Sequence, residues 1–221
     1  MPRVLGIASL FPNLLAMTQA LSELSDEELA ANCQQGSLSS FEELYRRYQR
    51  PILAYIYQIC RDYEEAACIA QDVFLKVFEK VDRFDTNRKF STWFYTIARN
   101  ASIDFLQSRR RRAMVTFTDI DRSDGDNTIL AVSEGDAPPV EERLSSDEAS
   151  GLLGEALADL PQIYREIIEL VVFQDRSYEE ASEILGGVSL GTLRSRMFHA
   201  LRQLRDKLGK VGGASGLDLI D

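Results

Sequence analysis

The sequence predicts an all-α protein of two helical domains joined by a flexible acidic linker, with a helix-turn-helix in the second domain. Apolar residues recur at three- and four-residue steps in both halves of the chain. Between the halves, residues 113–146 lose that period and are rich in aspartate, glutamate, glycine and proline. The first half contains no segment with the two-residue alternation of a half-buried strand.

The composition of the 221 residues indicates a globular protein whose basic surfaces are local. A hydrophobic fraction of 45% is enough to build buried cores. The formal net charge of -10 repels phosphate overall, so any nucleic-acid contact must come from local patches. Cys33, Cys60 and Cys68 lack the close pairing of a zinc site and are interpreted as reduced, mainly packing thiols of a cytoplasmic protein.

Residues 1–24 are interpreted as a short N-terminal extension. Arg3 precedes an apolar run, as in a weak signal peptide, but Pro12 interrupts that run early. The run is shorter than the roughly 20 apolar residues that span a bilayer, so no membrane insertion is expected. Met17 is a candidate start of translation, and a native peptide that contains Arg3 would contradict that hypothesis.

The first domain, residues 25–112, is predicted to contain four helices. Two of them open with a serine followed three residues later by a glutamate, which is the capping-box pattern, at Ser25–Glu28 and Ser39–Glu42. Apolar periodicity predicts the other two over residues 63–81 and 90–112. Together they should form a compact bundle.

The fourth predicted helix combines aromatic residues with a run of arginines. Aromatic rings can stack on unpaired bases while arginines hold phosphates, as in a surface that grips single-stranded or melting nucleic acid. Most of its apolar residues also fall at helical spacing, which fits an ordinary core. The residues that carry the nucleic-acid hypothesis are Trp93, Tyr95, Arg109, Arg110, Arg111 and Arg112.

Residues 113–146 are predicted to be an extended, solvated spacer because their composition is too polar to bury a core. An acidic segment beside a basic patch could also mimic a nucleic-acid strand in a channel. The second domain follows over residues 147–208, and residues 209–221 are predicted to form a flexible tail.

The second domain ends in a helix-turn-helix pattern. Ser177–Glu180 is a capping box that starts a short helix, Gly186–Ser189 supplies a turn, and a long helix follows over about 190–208. One face of the long helix is predicted to be core, with Leu193, Met197, Ala200, Leu201, Leu204 and Leu208. The other face is basic, and its N-terminal half would enter a major groove in this motif, although such a face can also be only solvated surface. It carries Arg194, Ser195, Phe198, His199 and Arg202.

Two separate motifs resemble one family, the extracytoplasmic-function (ECF) sigma factors. Residues 90–100, FSTWFYTIARN, followed by Ile103, Asp104 and the arginine run, resemble the family's promoter-melting segment. Residues 157–161, LADLP, with 177–186, SYEEASEILG, and 191–196, GTLRSR, resemble its second domain in the expected order.

The resemblance implies a dissociable subunit of bacterial RNA polymerase that gives the core enzyme its promoter choice and catalyses no reaction. It implies promoter DNA and the polymerase core, through its clamp helices and flap region, as partners, commonly with an anti-sigma factor, and no cofactor. The residues implied at the clamp helices are Gln71, Asp72, Phe74 and Leu75. Those implied at the -10 element are Trp93, Tyr95, Arg99, Asn100 and Arg109 to Arg112. Those implied at the -35 element are Thr192, Arg194, Ser195, Arg196, Phe198, His199 and Arg202.

Three positions depart from the family pattern. Cys68 stands where the family commonly has an aspartate, and Gly186–Gly187 makes the turn one residue longer. His199 occupies a position that is often arginine, which would weaken a charge contact above the pKa of histidine.

Two other classes of function remain open from the sequence. One is a helix-turn-helix regulator that acts without joining the polymerase and uses its first half as a sensor or dimerisation bundle; the aromatic and arginine-rich helix argues against it. The other is a DNA recombinase with a serine or tyrosine nucleophile. No phosphate loop, metal cluster or catalytic triad in the sequence supports an enzyme.

Overall fold

The computed structural model describes residues 20–120 and 148–211, with side chains described for 20–112 and 153–209. Over these ranges the structure is helical and contains no strand, which confirms the predicted all-α class. The residues outside the described ranges are the N-terminal extension up to residue 19, residues 121–146 of the predicted linker, residue 147 of the predicted second domain, and the tail from residue 212.

The first domain consists of four helices. They are α1 (Asp26–Gln34), α2 (Leu38–Cys60), α3 (Tyr63–Lys80) and α4 (Phe90–Ile120), with a short 3-10 turn, Val81–Arg83, after α3. α4 is longer than predicted and extends into the residues assigned to the linker. The extension is physically reasonable because residues 113–120 contain neither glycine nor proline.

The helix starts follow serine and aspartate caps. Ser25 Oγ accepts a hydrogen bond from the Glu28 amide at 3.2 Å and Glu28 Oε2 accepts one from the Ser25 amide at 2.8 Å, which confirms the predicted capping box. The prediction that Ser39 opens α2 is wrong. Ser37 is the cap, because Gly36, at φ +88°, turns the chain at the end of α1 and leaves Ser37 as the first serine able to accept from an amide.

An aromatic cluster fixes α4 against α2 and α3. Phe94 is fully buried, with its ring centroid 5.0 Å from that of Tyr48 and 5.2 Å from that of Phe74. Phe90 is also fully buried and contacts Phe84 with centroids 5.4 Å apart. Edge-to-face and tilted pairs of this kind add to the free energy gained by burying the rings, so the start of α4 is held rigidly.

The second domain contains α5 (Glu148–Ala158), α6 (Gln162–Ile168), α7 (Tyr178–Ile184) and α8 (Leu190–Val211). A five-residue π-helical segment, Glu169–Phe173, continues α6. The core of this domain is formed by apolar residues that are at most 7% exposed: Ala156, Leu160, Ile167, Ile168, Leu170, Ala181, Ile184, Leu185, Leu193, Met197, Ala200 and Leu204.

The prediction that Leu201 belongs to this core is wrong, since its side chain is 49% exposed. Leu193, Met197, Ala200 and Leu204 already form the buried stripe at steps of four, three and four. Leu201 follows Ala200 directly and is therefore rotated about 100° around the helix axis, away from the domain.

The two domains pack against each other. α4 of the first domain contacts α7, and α2 contacts α6 and the π-helical segment. None of the described helices combines the length and apolar character that crossing a membrane needs. In the same part of the chain, no cluster of three histidine, cysteine, aspartate or glutamate side chains could hold a metal ion.

Candidate nucleic-acid and polymerase interfaces

α4 places its candidate DNA-contacting residues in different environments. Asn100 and the three arginines Arg110, Arg111 and Arg112 are exposed. Trp93 is half-buried and packs on the rings of Phe84 and Phe90, at centroid distances of 5.0 and 5.7 Å. Trp93 therefore serves the core and still presents part of its ring to solvent.

Tyr95 is a core residue in this structure, contrary to the expectation that it contacts DNA. Its side chain is fully buried, with its ring centroid 5.2 Å from that of Tyr55. Its hydroxyl donates a hydrogen bond to Gln174 Oε1 at 2.7 Å, and the Arg176 guanidinium lies 5.2 Å from its ring centroid. A ring enclosed in this way cannot stack on a base. Local patterns could not predict the contacts with Gln174 and Arg176, because these residues lie about 80 positions away in the sequence.

Arg99 is also engaged by the second domain. Its Nε donates to Glu166 Oε2 at 3.1 Å, and the Glu166 carboxylate also accepts from Gln162 Nε2 at 2.7 Å. Glu166 is buried, so the ion pair is largely shielded from water. The Glu166 carboxylate therefore holds the Nε edge of the Arg99 guanidinium at the contact with the second domain.

One of the four consecutive arginines pairs with another helix of the bundle, and the other three are exposed. Arg109 Nη1 lies 2.8 Å from Glu65 Oε2 of α3, so it ties α4 to the bundle. Arg111 and Arg112 donate hydrogen bonds to Ser108, and with Arg110 they remain exposed. These three residues form the accessible positive patch of α4.

The turn of the helix-turn-helix is built by two glycines. Gly186 and Gly187 have φ angles of +82° and +81°, a backbone region that other L-residues rarely adopt. The Gly187 amide donates to the Ser182 carbonyl at 2.8 Å, and Ser182 Oγ donates to the Val188 carbonyl at 2.7 Å. The longer turn noted in the sequence is therefore a closed, hydrogen-bonded structure that leads directly into α8.

α8 begins at Leu190, as predicted, and presents its polar face to solvent. Ser189 Oγ caps the helix by accepting from the Thr192 amide at 3.2 Å. Arg196 is half-buried, and the exposed candidate residues are Thr192, Arg194, Ser195, Phe198, His199 and Arg202. The guanidinium of Arg194 lies 5.8 Å from the ring centroid of Tyr178 in α7, which limits its directions.

The candidate polymerase-binding residues on α3 also separate by burial. Gln71, Asp72 and Leu75 are exposed, and Leu75 is 61% exposed. Phe74 is only 8% exposed and packs between Tyr45 and Phe94, so the expectation that it contacts a partner is corrected to a core role.

Phe78 was not predicted as a functional residue, but it extends the exposed surface around Leu75. It is 46% exposed and contacts Phe41 edge-on, with centroids 5.0 Å apart. Its position three residues after Leu75 places it on the same face of α3, which is the signal that could have identified it.

The cysteines are free thiols in different environments. Cys60 is buried, which raises the pKa of its thiol and fits the packing role. Burial also raises the pKa of the Cys33 thiol to about 11. Cys68 is exposed on α3, so the interpretation of all three as packing residues is wrong for Cys68.

Comparisons with known proteins agree on one family. The family models described as Sigma-70 region 2 and Sigma-70, region 4 match residues 44–112 and 150–204. The RNA polymerase sigma-H factor of Pseudomonas aeruginosa is 31% identical over 190 residues, which cover 85% of this chain and 95% of that protein. The ECF RNA polymerase sigma factor SigW of Bacillus subtilis is 30% identical over 176 residues, which cover 78% and 91%.

Two solved structures share the fold. CnrH in complex with the cytosolic domain of CnrY superimposes with a TM-score of 0.58 at 21% identity, over 84% of this chain and 97% of that one. The sigma factor RpoE of Bartonella quintana, in complex with the anti-sigma factor NepR, gives a TM-score of 0.58 at 24% identity, over 77% and 98%.

Proposed function

The chain belongs to the ECF sigma factors of the sigma-70 family, and on that premise we propose how its surfaces divide the work of promoter-specific initiation. A sigma factor is a non-enzymatic subunit of RNA polymerase. This one directs promoter-specific transcription initiation, with region 2 recognising the -10 element and region 4 the -35 element. The residue assignments rest on solvent exposure, because only some of the candidate residues on α3, α4 and α8 are exposed.

We assign the -10 element to the exposed part of α4. Asn100 can hydrogen-bond to a base edge, the open side of Trp93 can stack on an unpaired base, and Arg110 to Arg112 can hold backbone phosphates. Arg99 and Tyr95 can contact the -10 element only when the two domains are arranged so that both side chains are released from the second domain.

The -35 element is assigned to the exposed face of α8. A helix with exposed arginines near its N-terminus fits a major groove, where arginine pairs with guanine and neighbouring side chains contact phosphates. The cap at Ser189 and the turn at Gly186–Gly187 hold the helix start in place.

Replacing Arg194 with alanine is expected to lower affinity for the -35 duplex of a promoter that this chain uses by about 5- to 150-fold, equivalent to about 1–3 kcal/mol for a base contact. Arg205→Ala is the matched control, because Arg205 is exposed on the same helix more than two turns further on. Fluorescence anisotropy at fixed salt measures both affinities. Equal affinities of the Arg194 variant and the wild type would remove Arg194 from the interface.

The exposed face of α3 is assigned to the clamp helices of the largest polymerase subunit. Leu75 and Phe78 offer apolar area beside the polar side chains of Gln71 and Asp72, a combination suited to a helical partner. Contact of the second domain with the flap region is proposed from the family alone.

Leu75→Asp is expected to weaken binding to core polymerase at least tenfold, because it places a charge in the apolar centre of this face. Tyr63→Asp is the control, since Tyr63 is 50% exposed on the same helix but about 18 Å away along its axis. Biolayer interferometry with immobilised core enzyme compares the two variants. Similar affinities for both would place the polymerase contact elsewhere.

An anti-sigma factor is proposed as a further partner. The solved structures that share this fold include CnrH with CnrY and RpoE with NepR, the latter described as an anti-sigma factor. A chain that works as a polymerase subunit is proposed to be cytoplasmic.

A further inference from the structure

The three acidic residues that open α1 have different partners. Glu28 closes the capping box at the start of its own helix, and Asp26 accepts a hydrogen bond from Arg47 of α2. Glu27 instead reaches α4, where its Oε1 accepts a hydrogen bond from the Phe90 amide at 2.9 Å. This contact joins residues 63 positions apart in the sequence, so Glu27 links α1 directly to the start of α4.

The residues directly before α4 cannot cap its first turn. A serine or aspartate in that position caps α1, α2, α3, α7 and α8. α4 is preceded by Arg88 and Lys89, whose side chains carry no hydrogen-bond acceptor. Glu27 supplies the acceptor that these residues lack, and its negative charge also suits the positive end of the helix dipole. The first turn of α4 is therefore stabilised by a side chain of α1.

Gln34, at the other end of α1, holds the turn that precedes α4. Its Nε2 donates to the Val81 carbonyl at 2.9 Å and to the Phe84 carbonyl at 2.8 Å, which uses both hydrogens of the amide. The amide of Phe84 donates to the same Val81 carbonyl at 3.0 Å. Gln34 thus binds both ends of this turn, and the buried ring of Phe84 is fixed through its own backbone.

Both contacts act on the position of Trp93. Its ring packs on two others, with centroid distances of 5.0 Å to Phe84 and 5.7 Å to Phe90. Gln34 binds the backbone of the first of these residues, and Glu27 binds that of the second. Trp93 lies at the end of the first turn of α4, and helix ends fray most readily when their amides lack acceptors. A ring held in one orientation stacks on a base more readily, because less conformational entropy is lost on binding.

We propose that Glu27 and Gln34 are positioning residues for strand opening: they hold the first turn of α4 and the turn before it, and so keep the open side of Trp93 oriented toward an unpaired base of the -10 element. This role rests on the proposed assignment of α4 to that element. α1 does not need to touch DNA for it. Changes at the two residues should therefore affect opening and leave the initial binding of duplex DNA unchanged.

Trp93 reports its own position, because it is the only tryptophan of the chain. Glu27→Met keeps the length and helix propensity of the side chain but removes the acceptor, whereas Glu27→Gln loses the same charge and keeps an acceptor oxygen. In the free full-length chain, time-resolved fluorescence anisotropy should show fast local motion of Trp93 with about twice the amplitude or more in Glu27→Met. Glu27→Gln should remain close to the wild type. Urea denaturation checks that both variants are folded.

Promoter opening by the holoenzyme gives the functional readout. On a promoter that this chain uses, the fluorescence of 2-aminopurine in the -10 region should show opening lowered about threefold or more by Glu27→Met, the effect expected for loss of a helix cap. Glu27→Gln should restore opening to nearly the wild-type level. Fluorescence anisotropy should give the same affinity for duplex DNA in both variants.

Gln34→Glu tests the second contact. The variant side chain has nearly the same shape, but a carboxylate cannot donate to the carbonyls of Val81 and Phe84. Gln35→Glu is the matched control, since Gln35 is exposed at the end of the same helix and the change in charge is the same. Gln34→Glu should increase the motion of Trp93 and lower opening, as Glu27→Met does. Gln35→Glu should change neither.

Two results would overturn the positioning role. One is normal promoter opening by folded Glu27→Met and Gln34→Glu variants. The other is an equal loss of opening in Glu27→Gln and Glu27→Met, which would make the charge rather than the hydrogen bond responsible. A wild-type chain that supports no initiation with core polymerase would instead refute the proposed function, whereas Trp93 fluorescence in the free chain would still show whether α1 holds the ring.

Discussion

Replacing Arg110, Arg111 and Arg112 together with glutamine is expected to weaken binding of the holoenzyme to promoter DNA by about 100-fold near 0.1 M salt. The reason is counterion release, since each phosphate neutralised by an arginine contributes about 0.7–0.9 to the slope of log affinity against log salt. The triple variant should therefore have a slope lower by about 2 to 3. Filter binding or anisotropy over a salt series measures both the affinity and the slope.

The control for this prediction removes three exposed arginines that do not lie on α4. Arg46, Arg50 and Arg83 are exposed on the first domain, and their replacement with glutamine makes the same change in net charge. It should leave the slope within experimental error of the wild type. If the slope of log affinity against log salt falls by the same amount in both triple variants, the effect comes from the total charge. The local patch on α4 then has no special role.

Asn100→Ala is expected to reduce promoter opening about 5- to 150-fold while leaving the initial binding of duplex DNA unchanged. Asn100 is exposed and lies seven residues, or two helical turns, after Trp93, so both side chains fall on one face of α4. A hydrogen bond to an unpaired base forms only once the strands separate, and its loss costs about 1–3 kcal/mol. The fluorescence of 2-aminopurine in the -10 region reports opening, and anisotropy reports binding. Normal opening by this variant would contradict the assignment.

The role of Trp93 requires a different experiment, because its ring also packs in the core. Trp93→Ala removes the contacts with Phe84 and Phe90 and should lower the free energy of unfolding by about 2 kcal/mol, less than the 3–5 kcal/mol typical of a fully buried aromatic residue. Trp93→Leu keeps an apolar side chain against these neighbours but removes the aromatic ring. Combined with Asn100→Ala, Trp93→Leu therefore tests stacking with a smaller loss of stability than Trp93→Ala. Urea denaturation measures the stability of each variant.

Local patterns predicted the helical class and most helix starts. The capping boxes at Ser25 and Ser177, the glycine turn and the start of α8 all depend on residues within a few positions of one another, where the physics is short-range. The basic face of α8 could be predicted for the same reason. Where several serines lie close together, the capping pattern does not show which of them caps the helix. Ser37 rather than Ser39 caps α2.

Tertiary contacts account for the errors at the candidate site. Phe74 is buried by Tyr45 and Phe94, and Tyr95 is enclosed partly by residues of the second domain. Periodicity within one helix marks its apolar residues but cannot show which of them a distant segment will cover. The ion pair between Arg99 and Glu166 joins residues 67 positions apart and has no local signal at all.

Transcription by purified core polymerase, with this chain as the only sigma factor, tests the central claim most directly. Mapping the 5′ ends of transcripts made on genomic DNA should show discrete start sites that depend on this chain and share upstream sequence at -10 and -35. Binding of the chain to duplex DNA without any initiation by the core enzyme would contradict the claim and would indicate a regulator that acts outside the polymerase.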